Sequence, residues 1–258
     1  MSRYRYVLLD MDGVLWRGGE PIHVNVEAVK ILASRGVGVA YVTNNSTRSR
    51  RSYVERLKAL GLPASASTIV TSGYAASIYM RLRGVSTAYV VGEEGLFEEV
   101  GLAGIEPLDT CPGKADAVVV GLDRGFNYGK LDCAARHVRR GALYVVTNTD
   151  STLPHPGEPK PGAGAMVAAI SVAAGRNPDF TAGKPNPWLV ELALEALGAE
   201  PGEVLLVGDR LDTDVEAGRR AGVDTLLVFT GVTAPGSGLD PKPTHTARSL
   251  MDALHLFG

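Results

Sequence analysis

Apolar runs that stop abruptly at polar residues organise this chain. Tyr6-Val7-Leu8-Leu9 leads into Asp10-Met11-Asp12-Gly13, Val37-Gly38-Val39-Ala40-Tyr41-Val42 into Thr43-Asn44-Asn45, and Val204-Leu205-Leu206-Val207 into Gly208-Asp209. Continuous apolar runs bounded by turn residues predict strands buried on both faces, as in a parallel sheet. Between the first two runs, residues 24–35 carry Val26, Val29, Ile31 and Leu32 at roughly helical spacing and stop at Gly36, which predicts a crossover helix with a glycine C-cap. Strand, helix, strand implies parallel pairing through a right-handed crossover, so Thr43 is expected at the same sheet edge as Asp10. Residues 48–60 and 73–83 read as further helices and 68–70 as a short strand.

Near Val85 the pattern restarts. Ala88-Tyr89-Val90-Val91, Ala117-Val118-Val119-Val120 and Leu143-Tyr144-Val145-Val146 predict three strands, with helical stretches at 95–100 and 128–140 between them. The expected fold class is therefore α/β: a Rossmann-like, doubly wound parallel sheet from residues 1–84 and 179–258, carrying an inserted α/β cap domain over 85–178. After the irregular stretch 147–161, Gly162-Ala163-Gly164 opens an apolar helix to Ala174. Without the lysine of a P-loop, these glycines read as helix capping. A helix over 188–197, a strand over 224–229 and a closing helix over 249–256 complete the first domain.

Composition narrows the partners. The 258 residues, 45% hydrophobic and 21% charged, suffice for two cores. A formal net charge of −2 supplies no broad cationic surface, which argues against nucleic acid or an anionic membrane. No apolar run approaches a membrane span and no signal-peptide pattern precedes the first strand, so a cytoplasmic protein is expected. Cys111 and Cys133 read as two reduced, packed thiols. The chain has no glutamine, and only seven of its 26 Lys and Arg residues are lysine, a balance that fits a hot habitat and favours a Cys111–Cys133 bridge somewhat more. His137, beside Arg139 and Arg140, is expected on a solvated helix face.

Asp10 and Asp12 end the first strand together, because Gly13 permits a sharp turn that swings Asp12 back toward the edge. Crowded carboxylates raise one another's pKa unless a divalent cation neutralises one of them. Taken alone, Asp-x-Asp-Gly is an ordinary turn. Taken with Thr43-Asn44-Asn45, Lys184 in Gly183-Lys184-Pro185-Asn186-Pro187, and Asp209 followed five residues later by Asp214, it resembles the four signature motifs of the haloacid dehalogenase superfamily. The fuller strings Asp-Met-Asp-Gly-Val-Leu-Trp, Val-Thr-Asn-Asn-Ser and Gly-Asp-Arg-Leu-Asp-Thr-Asp resemble its NagD and p-nitrophenyl phosphatase-like branch, with phosphoglycolate and pyridoxal phosphate phosphatase as relatives.

The resemblance implies a phosphatase acting on small organic phosphomonoesters through an aspartyl-phosphate. Asp10 would be the nucleophile and Asp12 the general acid and base. Mg²⁺ would be held by Asp10, Asp12 through its backbone carbonyl, and Asp209, with Asp214 behind them. Lys184 would offset charge on Asp10 and phosphate, while Thr43, Asn44 and Asn45 would bind phosphate. Asn148, Asp150, His155 and the loop 123–127 are the candidates for leaving-group recognition in the cap. Asp212 is expected to cap a helix or meet solvent. The expected partner is a small phosphorylated metabolite, with a homodimer through the cap as one possible assembly. A dehalogenase would need neither Asp12 nor a metal site; a phosphomutase shares the whole core, and a non-catalytic metabolite-binding protein would tolerate loss of a motif residue.

Overall fold

Tyr6–Asp10 lies in the middle of a six-stranded sheet in the computed structural model, which describes residues 3–153 and 158–258. The order across it is His245–Ala247, Asp224–Val228, Val204–Gly208, Tyr6–Asp10, Gly38–Thr43, Ile69–Thr71. Leu9 is level with both Val207 and Tyr41 in parallel register, so the three polar strand ends emerge together. These strands read as apolar runs because both of their faces are covered. Val7, Leu9, Tyr41, Leu205 and Val207 enter one core with Val26, Val29 and Leu32 of the helix His23–Ser34. The predicted closing helix is instead a 3-10 segment, Met251–Phe257. Where it begins, the Leu250 N–H donates to Asn25 Oδ1 (2.8 Å).

The chain divides into two compact units. The first runs to Thr43 and includes Arg51–Val70 and Lys184–Gly258; the second comprises Asn44–Arg50 and Thr71–Gly183. These limits differ from the expected 85 and 178, for reasons visible in the packing. Helix Ser72–Leu82 belongs with the second unit, where Tyr79 stacks on Phe180 at 3.7 Å between ring centroids. The short segment after Thr43 is held there by Arg50 pairing with the buried Glu99 (2.9 Å) and by Ser46 bonding to Thr147 (3.2 Å). Phe180–Thr181 extends the second sheet beside Leu143–Val146, so the chain leaves that unit at Lys184.

That second sheet has five strands in the order Phe180–Thr181, Leu143–Val146, Ala117–Val120, Thr87–Val91, Glu106–Leu108, all parallel. Its own core includes Tyr89, Val118, Val120, Tyr144 and Val146 with Val138 and Ile170 from flanking helices. Two expectations fail here. Cys111 and Cys133 are joined in a disulfide, Cα atoms 5.8 Å apart across 22 residues of sequence. Closing a loop of that length contributes about 3 kcal/mol in the chain-entropy account. His137 is buried rather than solvated, because it lies one turn from Cys133 on the inner stripe of helix Tyr128–Arg139 while Arg139 and Arg140 face out. No helix of the described residues is long and apolar enough to cross a membrane.

Candidate active site

Three strand ends of the first unit deliver the central groups. Asp10 closes Tyr6–Asp10, Thr43 closes the adjacent Gly38–Thr43, and Asp209 follows Val204–Gly208; all three side chains are buried. Lys184 enters from the loop before helix Trp188–Leu197 and is 3% exposed. Its Nζ donates to Asp10 Oδ1 at 2.5 Å and to Asp214 Oδ1 at 2.6 Å. The second oxygen of Asp214 accepts from the backbone N–H groups of Asp209 (3.2 Å) and Arg210 (3.1 Å), which fixes the turn carrying Asp209. Asp214 thus positions both the ammonium and the neighbouring acid. Asp212, by contrast, is exposed and bonds to Arg210.

Charge at this edge does not balance. Carboxylate oxygens of Asp10, Asp209 and Asp214 lie within 4.8 Å of one another, with Lys184 the ammonium among them. Burial raises the Asp10 carboxyl well above its ordinary value; Lys184 pulls it down, and Asp214 and Asp209 push it further up. Burial alone would lower Lys184, yet Asp10 and Asp214 outweigh it and hold the ammonium above its usual range. Asp209 is pushed up to about 7, first by burial and then by Asp214. Three buried acids against one cation, offering only oxygen, suit a hard divalent ion such as Mg²⁺. Asp12 is not in this carboxylate cluster, and its side chain is engaged elsewhere.

The engagement is with Trp16, whose Nε1 donates to Asp12 Oδ1 at 2.9 Å. The indole is itself clamped, with the Arg56 guanidinium 3.7 Å over its ring and Tyr53 nearly parallel at 6.2 Å. In the sequence Trp16 is the last residue of Asp-Met-Asp-Gly-Val-Leu-Trp, and an aromatic N–H four residues beyond the acid is the signal for this contact. No such signal marks the loop after strand Asp224–Val228. Its Val232 N–H donates to Asp209 Oδ2 (2.6 Å), and Thr230 Oγ1 donates to the Gly13 carbonyl (2.7 Å). Asn25, fully buried, bonds the Val14 carbonyl (2.8 Å) and Thr230 Oγ1 (3.1 Å) through Nδ2, tying these turns together. Gly13 and Gly231 press against Asp209: a Cβ at either would fall 2.2 or 1.8 Å from its Oδ2.

Other expected residues gather in the second unit. Asn44 Nδ2 donates to Asp150 Oδ2 at 3.2 Å, and its carbonyl accepts from Asn148 Nδ2 at 2.7 Å and from Ser72 Oγ. Asn45 Oδ1 accepts from the Thr47 N–H and hydroxyl, forming a local turn. Asn148 and Asp150 thus brace the segment that follows Thr43. In the loop 123–127, Asp123 is buried and bonds Lys130 and the Gly125 N–H. His155 lies outside the described residues.

Asp209 carries a pH signature. Its carboxyl ordinarily titrates near 3.8 and here near 7, so without a cation the folded state keeps a proton that the unfolded chain releases between those values. That preference is fully present below pH 4 and is lost as the pH rises through 7. The chelated protein should therefore melt at a lower temperature at pH 8 than at pH 5, and Mg²⁺ should raise the melting temperature more at pH 8. Calorimetry at both pH values, with EDTA or Mg²⁺, checks this; equal Mg²⁺ shifts would contradict it.

A buried carboxylate held by an ammonium lies at the carboxyl edge of the Rossmann-like sheet, where open α/β proteins place their chemistry. The haloacid dehalogenase-like hydrolase family matches residues 7–106, and a HAD-hydrolase-like family matches 181–253. The chain is 36% identical over 256 residues to the 5'-nucleotidase YutF of Bacillus subtilis (strain 168), covering 98% of each. Among solved structures, the p-nitrophenyl phosphatase from Archaeoglobus fulgidus is similar with a TM-score of 0.91 and 38% identity over 98% of both chains. The glycerol phosphate phosphatase Rv1692 from Mycobacterium tuberculosis, in complex with calcium, has a TM-score of 0.85 and 34% identity, covering 96% of this chain and 74% of that one. This chain belongs to the haloacid dehalogenase-like hydrolases, and within them to the phosphatases that resemble NagD.

Proposed function

We propose that the protein is a Mg²⁺-dependent phosphomonoesterase that works through a covalent phosphate on Asp10. The observation that carries this reading is the excess of buried negative charge around Lys184: Asp10, Asp209 and Asp214 share one ammonium. Asp10, Asp209 and the Asp12 carbonyl would hold the ion, which when bound supplies the positive charge that lets a carboxylate meet a phosphate dianion. A divalent ion of this oxygen-seeking kind is present in the Rv1692 structure.

The chain's own groups perform the transfer. Lys184 pins one oxygen of Asp10, leaving the other to attack phosphorus; an Asp10 O–P bond forms as the ester P–O bond breaks. Asp12, oriented by the Trp16 N–H, gives its proton to the leaving oxygen. It then takes a proton from the water that attacks phosphorus, which releases phosphate and restores the Asp10 carboxylate. The Thr43 hydroxyl and the next amide along the chain, that of Asn44, would donate to phosphate oxygens. We read the second unit as the cap that selects among leaving groups. The relatives support a small-ester class rather than one substrate, since their names point to a nucleotide, p-nitrophenyl phosphate and glycerol phosphate.

Hydrolysis of p-nitrophenyl phosphate should require Mg²⁺ and cease on chelation; metal-independent turnover would overturn the proposal. Asp12→Asn should impair alkyl phosphates by at least about tenfold more than p-nitrophenyl phosphate, because nitrophenolate leaves without a proton. Steady-state kcat/KM on glycerol phosphate and on the nitrophenyl ester makes the comparison. Equal losses would assign Asp12 to backbone geometry instead.

A further inference from the structure

Away from the carboxylate edge, the second unit gathers a different set of donors. Cys111 sits exposed in the segment between strands Glu106–Leu108 and Ala117–Val120, while Cys133 and His137 occupy one face of helix Tyr128–Arg139, four residues apart. The two sulfurs and a ring nitrogen of His137 all lie within 4.8 Å of one another. A disulfide needs no imidazole beside it. This one is nonetheless buried, and its Nε2 bonds the carbonyl of Pro112, the residue next to Cys111, at 3.1 Å. A carbonyl can only accept, so Nε2 carries a proton, and in the neutral ring the other nitrogen offers the lone pair.

We propose that Cys111, Cys133 and His137 are a redox-gated binding site for Zn²⁺ or a similar borderline-soft cation, closed as the disulfide and opened by reduction. Two thiolates and one imidazole are a donor set such ions favour, and helical i, i+4 spacing is a common way to aim two ligands at one ion. A tetrahedral ion with bonds of about 2.3 Å to sulfur holds its sulfurs under about 4 Å apart, a separation that Cys111 can reach by side-chain rotation at the surface. The fourth position falls to water on the exposed side. The exchange balances: a dithiol reductant supplies two electrons and two protons, cleaving the S–S bond and becoming a disulfide itself. The two protein thiols then release their protons to solvent as the cation binds. A disulfide oxidant reverses the process, accepting two electrons from the thiolates and two protons from solvent to become a dithiol, while the thiolates rejoin as the cation departs. The same loop is therefore clipped to the same helix in either redox state, by a bond or by an ion.

The test uses Co²⁺ as a spectroscopic stand-in and then Zn²⁺ in competition. Full-length protein reduced with a phosphine and freed of the phosphine should bind one Co²⁺ with a near-ultraviolet sulfur-to-cobalt band, displaced by Zn²⁺. The carboxylate site cannot give that band, because it offers only oxygen. Oxidised protein should lack it. His137→Gln retains an N–H for the Pro112 carbonyl and should still form the disulfide, yet should bind Co²⁺ at least about tenfold more weakly. Absence of the sulfur band in reduced protein, or equal affinity in His137→Gln, would overturn the proposal. Should reduction unfold the chain, reduction in the presence of Zn²⁺ decides: retained far-ultraviolet dichroism supports the site, and equal unfolding with and without Zn²⁺ refutes it.

Discussion

Asp10→Asn should lower kcat on p-nitrophenyl phosphate by at least about 10³-fold while leaving the chelated protein as stable as the wild type or more so. The two effects have one cause. Asp10 is a poor stabiliser because it is a buried acid beside two others, and burial already raises its pKa well above the ordinary value. An amide keeps its shape and removes one of the three like charges, while Lys184 keeps Asp214 at 2.6 Å. What disappears, on the proposed mechanism, is the oxygen that would attack phosphorus. Parallel measurement of kcat and of the melting temperature in EDTA checks both halves. Turnover near wild type would place the nucleophile elsewhere, and a melting temperature well below wild type would show that Asp10 helps to hold the fold.

Lys184→Met should move stability the other way. The substitution preserves much of the side-chain volume but leaves Asp10 and Asp214 buried without their shared ammonium. Removing one partner of a buried ionic network costs about 3–5 kcal/mol, which for a chain of this size lowers the melting temperature by roughly 10 °C. Activity should fall by at least about 10²-fold as well, since in the proposed mechanism the ammonium holds Asp10 and would face the phosphate. A double variant with Asp214→Asn should recover part of the lost stability and none of the activity, because it relieves the repulsion without restoring the cation. Thermal melts and kcat for the three proteins distinguish these outcomes; a Lys184→Met protein as stable as wild type would mean that the carboxylates already share protons.

The central sheet was legible because strands covered on both faces cannot alternate: each appears as an unbroken apolar run whose end is its active edge. Phe180–Thr181 left no such trace, being two residues long, and so the return to the first unit was placed too early. Helix Ser72–Leu82 was recognised but given to the wrong unit, since periodicity reveals an apolar face and not the surface it meets. The same limit applies to polar residues. Asn148 and Asp150 looked available for a substrate, yet they bond to Asn44, because composition does not say which way a side chain turns. Val232 contributes its backbone N–H to Asp209, a donor every residue but proline possesses and no residue type advertises. The Cys111–Cys133 pairing needed distance, and only the fold supplies it.

The two glycines against Asp209 set the terms on which this enzyme could be re-engineered. At Gly13 and Gly231 the carboxylate occupies the volume where a side chain would begin, and Gly13 also holds a φ of +86°. Even alanine at either position would displace the acid. No gradual series of larger residues therefore leads through these sites, and every member of a library that varies them must also move Asp209. Inheritance and laboratory selection alike are left with the surrounding segments as the ground on which new substrates can be acquired.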